Sequence, residues 1–179
     1  MGNYYGASTQ CVILNENKSC IATHMEPKWR GDFFGIWQTE SPIPEFFEIP
    51  MHGTAMFLMK KEFFPRFSDN FMGFAGEEGY IHEKVRNNGG KVYCHSALGW
   101  VHRFLRSKPV TYRLYVEDKI YNYLIAFYEI GKNPKQVINF FSKTHPEPVI
   151  NTARNQALAV YPDLLEKFSN LTDTPDIAS

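Results

Sequence analysis

Two adjacent carboxylates follow a glycine-bearing turn in Gly73-Phe-Ala-Gly-Glu77-Glu78, immediately before a stretch, Tyr80 to Asn88, that suits a helix. At a helix start the macrodipole and the unpaired amides favour ionised acids. An ionised carboxylate at the mouth of a cleft can take a proton as general base or hold sugar hydroxyls. Glutamate also occurs in first helical turns for stability alone, so the pair by itself leaves both readings open. His102 follows an apolar run and precedes Arg103. A neutral imidazole ligates divalent metals, but one histidine does not make a site, and taken alone His102 reads as a partly buried structural histidine before a ligand. The other histidines show no metal spacing. His24-Met-Glu26 and His145-Pro-Glu147 resemble pieces of a zinc-deaminase signature, yet the Pro-Cys-x-x-Cys partner is absent. Neither a dinucleotide fingerprint nor a phosphate-binding glycine loop is present, and no serine or cysteine sits in a nucleophile elbow.

The elements that must position these groups read as follows. Cys11-Val-Ile-Leu14 and Cys20-Ile-Ala-Thr23 are strand-like runs on either side of a turn, Asn15 to Lys18. Trp29, Phe33, Phe34 and Trp37, punctuated by Gly31 and Gly35, read as an aromatic loop, either a flap pinned by its own rings or a lid on a ligand cleft. Phe47–Pro50 and Thr54–Met59 read as strands, the second buried. Lys60–Phe64 reads as a helical turn ended by Pro65. In the helix from Tyr80, Ile81 and Val85 share a face, and Gly89-Gly90 ends it. Lys91–His95 and Trp100–Phe104 read as two further strands. Ile120, Leu124 and Phe127 mark a helix from Tyr115 to Ile130 that Gly131 stops. Pro134–Phe141 and Asn155–Phe168 complete the helices, and residues 171–179 read as a disordered tail. The order, with βαβ character between Thr54 and His95, predicts one α/β domain over residues 1–170: a mixed sheet flanked by helices, with helices at the C-terminal end.

The 179 residues suffice for one hydrophobic core. Nineteen basic residues balance nineteen acidic ones, and without a basic stripe nucleic-acid binding is not expected. Cys11, Cys20 and Cys94 are odd in number and lack paired spacing, which suggests small buried side chains rather than disulfides or a zinc knuckle. No run approaches the ~20 apolar residues of a membrane span. With no signal-like start either, a cytoplasmic location is the expectation.

Taken together, Gly73–Val92 and Trp100-Val-His-Arg-Phe104 resemble the second half of the GT-A domain of glycosyltransferases, similar to glycosyltransferase family 2 and the polypeptide N-acetylgalactosaminyltransferases. Those enzymes share a Gly-Gly-Glu-(Asp/Asn/Glu) turn, an Arg-bearing helix, a Gly-Gly, a strand, and a downstream His-Arg or His-x-Phe-Arg. Thr23–Gly31 and Glu117–Ile125 also resemble stretches of one branch. The resemblance implies a nucleoside-diphosphate sugar as donor and a glycan or protein as acceptor. It implies Glu78 as the base of an inverting transfer, with Glu77 and Gly76 holding acceptor hydroxyls. Trp100 and Gly53 would line the sugar cleft, Trp29 and Arg30 would belong to a nearby donor loop, and Arg86 would brace the helix. His102 would ligate Mn²⁺ or Mg²⁺ on the donor diphosphate.

The sequence departs from that pattern in one respect. The family's donor-binding half carries Asp-x-Asp or Asp-x-His, and neither occurs in this chain. Three expectations follow: a fragment of a longer transferase, a transferase whose donor half is supplied by a partner chain or a homo-oligomer, or a non-catalytic saccharide-binding or scaffold module working with a catalytic partner.

Overall fold

The protein is described by a computed structural model over residues 7–15, 18–101, 109–168 and 170. Strand β1 (Ala7–Asn15) and strand β2 (Lys18–Ala22) form the antiparallel pair that the two apolar runs and their turn suggest, in register from Cys11 opposite Ala22 to Asn15 opposite Lys18.

The aromatic stretch is a hairpin rather than a loop. Strand β3 (His24–Arg30) and strand β4 (Phe33–Gln38) pair antiparallel, closing with Arg30 opposite Phe33 across Gly31-Asp32. Gly31, at φ 55°, supplies the positive φ that a two-residue hairpin turn wants. Pro27 lacks an amide to give the ladder, and the register shifts there, between Glu26 and Trp29. Opposite the shift sits Gly35. At φ 133°, its missing Cβ leaves room for the Met25 and Met51 side chains, which a Cβ would meet at 3.1–3.4 Å. Glycines read as loop punctuation are thus the turn and the bulge partner of a hairpin.

Strand β5 (Phe46–Glu48) follows, then strand β6, reduced to Phe57–Leu58. The apolar run Thr54–Met59 is not a buried strand, since Leu58 is 58% exposed. Apolar composition alone does not separate a core strand from a short edge pairing. A single 3-10 turn covers Lys61–Phe63. Helix α1 (Glu77–Asn87) ends as expected: Gly90 N–H reaches Val85 O and Gly89 N–H reaches Arg86 O, with Gly89 at φ 77°. Strand β7 (Tyr93–Val101) joins two runs that read as separate strands. It lies parallel to β1, and between Thr9–His95 and Cys11–Trp100 the register shifts, so β7 bulges over Ser96–Gly99.

The sheet order is β2-β1-β7-β5, with β6 also on β1. The parallel neighbours are β1 and β7, so the expected βαβ unit between Thr54 and His95 is not formed; β6 pairs with β1, antiparallel, and not with β7. Ile49, Val85, Val92 and Cys94 form a core beneath this sheet. Burial pushes the Cys94 thiol up to about 11, which keeps it protonated and apolar in behaviour.

Helix α2 (Val116–Glu129) is buried over Ile120–Phe127, not on one stripe only, so it is a core helix. Lys132 N–H to Phe127 O and Gly131 N–H to Tyr128 O close its end. Helix α3 (Lys135–Phe141) and helix α4 (Glu147–Val160) pack against α2. Helix α4 begins eight residues before the expected Asn155, after Pro146 and with Pro148 in its first turn, and it ends before Pro162. The expected tail, 171–179, lies outside the described residues.

The described residues form a mixed α/β structure with small, mainly antiparallel sheets and four α-helices. Its contacts group into two compact units, Met1–Arg66 with Ile81–Pro109, and Phe67–Tyr80 with Val110–Ser179. Among the described residues, no helix is long and apolar enough to cross a membrane.

Candidate functional site

The turn before α1 departs from ordinary backbone at three of four residues: Gly73 at φ 59°, Ala75 at φ 82° and Gly76 at φ 96°. The two glycines answer to α2 and the residues just before it. A Cβ on Gly73 would lie 2.9 Å from Arg113 O and 3.0 Å from Asp118 Oδ2; one on Gly76 would meet Asn122 Cβ at 3.0 Å. Ala75 carries a side chain at a φ that L residues avoid, and it is buried. Such strain persists only where surrounding structure overdetermines it.

Asn122 does that. It is 1% exposed, and its amide nitrogen donates to the carbonyls of Met72 and Ala75, with a longer bond to Phe74. Its Oδ1 accepts the Met72 N–H at 2.8 Å. One side chain thus replaces the backbone pairing that the turn forgoes. One helical turn earlier on α2, buried Asp118 accepts from Arg113 Nη2 at 3.0 Å, and Arg113 also reaches Met72 Sδ. Its second oxygen, Oδ2, is buried with no hydrogen-bond partner, beside the bare Cα of Gly73.

The clamped turn forms one wall of an open cleft of about 350 Å³, lined by Phe71, Met72, Gly73, Phe74, Ala75, Glu77, Tyr112 and Asn122. Phe74 and Tyr112 stack in it, with centroids 5.9 Å apart and planes 14° apart. Glu77 is its acid. Glu78, the next residue on α1, is not among the lining residues. Burial raises both carboxyls above the usual range, and for Glu78 the neighbouring Glu77 adds to the effect, to about 8. The helix-start amides pull the other way and lose. The helix start favours ionised acids, and burial works against it at both carboxyls.

Compared with known proteins, the chain matches no family model, no curated protein and no solved structure.

The structure groups Gly76, Glu77 and Glu78 on one turn of the second unit. Trp29, Arg30, Gly53 and Trp100 all belong to the first. Trp29 and Arg30 are in β3, where Trp29 meets Phe34 edge-on at 5.0 Å. Gly53 faces the Trp37 ring, which a Cβ would touch at 3.1 Å. Trp100 lies in β7. None of these four lines the cleft. Arg86 bonds Glu83 along the surface of α1, at 3.1 and 3.3 Å. His102 lies outside the described residues, and among the described residues no three His, Cys, Asp or Glu side chains gather into a metal-holding group.

Sequence reasoning missed Asn122, Asp118 and Tyr112. A signal existed for Asn122: a polar residue between tyrosines in an apolar stretch of helix must be satisfied by something specific. Nothing in the local sequence marks Tyr112.

Proposed function

We propose that the protein is a glycosyltransferase of GT-A type, with the Gly73–Glu78 turn as its acceptor site. The observation that carries the reading is the turn itself: a strained, Asn122-clamped segment placing Glu77 in a cleft and Glu78 beside it at a helix start. In this reading Glu77 holds acceptor hydroxyls. Glu78 removes the proton from one hydroxyl as that oxygen attacks C1 of a nucleotide-activated sugar. The C1–oxygen bond to the diphosphate breaks, the nucleoside diphosphate departs with the bond's electrons, and the anomeric centre inverts. An acceptor hydroxyl is far too weak an acid to ionise beforehand, so proton transfer accompanies bond formation. A base near 8 is well matched to that step, being partly ionised at neutral pH yet basic enough to accept.

The donor half, and any Mn²⁺ or Mg²⁺ that His102 would help to hold, belong to this reading only as the resemblance implies them. The described residues do not make a metal site, and no step is assigned to a cation.

The test is turnover of nucleoside-diphosphate sugars by wild type and by Glu78→Gln, with circular dichroism to confirm folding. Loss of transfer with retained fold supports the assignment; equal turnover in both sinks it. A second reading, a non-catalytic saccharide-binding module, is favoured by the same cleft, whose aromatic pair and carboxyl bind sugars without chemistry. It predicts glycan binding with no turnover under any metal or donor.

A further inference from the structure

We infer that the acceptor is itself a sugar ring, a pyranoside whose apolar face lies against Tyr112 and Phe74 while Glu77 takes its hydroxyls. The inference rests on the acceptor-site reading of the cleft and narrows it, setting aside a peptide serine or threonine and a lipid alcohol.

Three observations carry it. First, the cleft pairs a flat aromatic surface with a carboxyl group. The Phe74 and Tyr112 rings stack with their planes 14° apart, and Tyr112, 38% exposed, lines the cleft. A pyranose presents the matching partition, a face of C–H bonds with slight positive charge and a rim of hydroxyls. The C–H face suits the negative face of an aromatic ring, and the rim suits a carboxyl oxygen. A peptide hydroxyl on a one-carbon stem offers no such face, and an alkyl chain offers no rim.

Second, the aromatic surface is held in place. Arg113, the residue after Tyr112, is anchored to buried Asp118 at 3.0 Å, and its guanidinium lies 5.5 Å from the Tyr115 ring. The bare Cα of Gly73 lets the Arg113 backbone approach the turn. A ligand platform preorganised in this way loses little freedom on binding.

Third, the size is right. A cleft of about 350 Å³ lies at the small end of ligand pockets, which run from about 300 to 1,000 Å³. It accommodates a terminal ring and part of the next residue.

Saturation-transfer NMR on the full chain tests this, with the methyl pyranosides of glucose, galactose, mannose, rhamnose and N-acetylglucosamine as probes. N-acetylserine methylamide and octanol serve as the peptide and lipid arms. At least one pyranoside is expected to bind through its C–H face. Affinity should fall tenfold or more in Tyr112→Ala, stay within twofold in Tyr112→Phe, and be unmoved in Leu58→Ala, an exposed apolar side chain outside the cleft. No binding by any pyranoside, binding unchanged in Tyr112→Ala, or preference for the serine or octanol arm would each overturn the inference. The readout is independent of turnover. Pyranoside binding without transfer keeps the pyranoside site at Tyr112 but removes its role as an acceptor site, whereas transfer to a serine peptide without pyranoside binding keeps the transferase reading and overturns the inference.

Discussion

Two buried titratable side chains pull the protein's stability in opposite directions with pH. Glu78 is raised from 4.5 to about 8, so between those values the native state holds a proton that the unfolded chain has released. Its contribution is present in full below 4.5 and is lost as pH rises through 8. His52 is lowered from 6.5 to about 4 by burial, with Nδ1–H donated to Gly53 O and its ring edge-on to buried His82 at 4.5 Å. That contribution is present above 6.5 and is lost as pH falls through 4, when the native state must take up a buried charge. In melts from pH 4 to 9, Glu78→Gln should flatten the alkaline decline, gaining a few degrees on wild type at pH 9 relative to pH 5. His52→Phe should flatten the acid decline instead. Identical pH profiles in variant and wild type would refute either assignment. In transfer assays, the same Glu78 predicts a rate that climbs with pH through about 8, and a loss of about 100-fold or more in Glu78→Gln. The carboxylates were legible from their type and their place at a helix start. Their protonation was not, because desolvation depends on everything that folds over them.

At the scale of elements, the acidic turn depends on α2. Asn122→Ala would leave the Met72 and Ala75 carbonyls and the Met72 amide without their partner. An unsatisfied buried backbone group costs about 1–3 kcal/mol, so a loss of about 2–4 kcal/mol is expected, read from urea denaturation. Gly73→Ala should cost about 1–3 kcal/mol, since its φ of 59° and the 2.9 Å approach of Arg113 O both exclude a Cβ. Ala75→Gly, at φ 82°, should be neutral or mildly stabilising, because it relieves the same kind of strain. If all three variants melt together with wild type, the clamp described here is not what holds the turn. Local sequence showed the glycines and the helix ends, since φ preference and Gly-mediated capping are local properties. It misread the hairpin at Gly31-Asp32, where four aromatic residues suggested a loop although a two-residue turn between pairable runs was present. It also placed α4 too late, having given Pro146 and Pro148 too little weight as a helix start. The Asn122 clamp joins residues some fifty positions apart, and spacing along one segment cannot show such a pairing.

At the scale of the whole molecule, each compact unit carries its own core, Ile49, Val85, Val92 and Cys94 in one and Tyr80, Ala126 and Ile130 in the other. The second is assembled from two stretches of chain, and Glu129 is where they are tied. Its carboxylate accepts from Ser68 and Tyr161 hydroxyls at 2.7 Å each, and from the Tyr80 hydroxyl. Those partners come from the turn segment, the start of α1 and the chain after α4. Tyr80 and Tyr161 are both pushed up, first by burial and then by this carboxylate, Tyr161 to about 12, so the donors stay protonated across the accessible pH range. Glu129→Ala removes the acceptor of three hydroxyls at once, and a loss of about 3 kcal/mol or more is expected. Glu129→Gln keeps the shape and surrenders the charge, and should cost less. Because the tie lies within the second unit, hydrogen exchange should quicken at residues 67–80 and at the C-terminal end of α2. Protection in the β1–β7 pairing should be largely kept. A uniform rise in exchange over both units would mean that they unfold as one, and that the Glu129 network is not a local tie but part of a single cooperative structure.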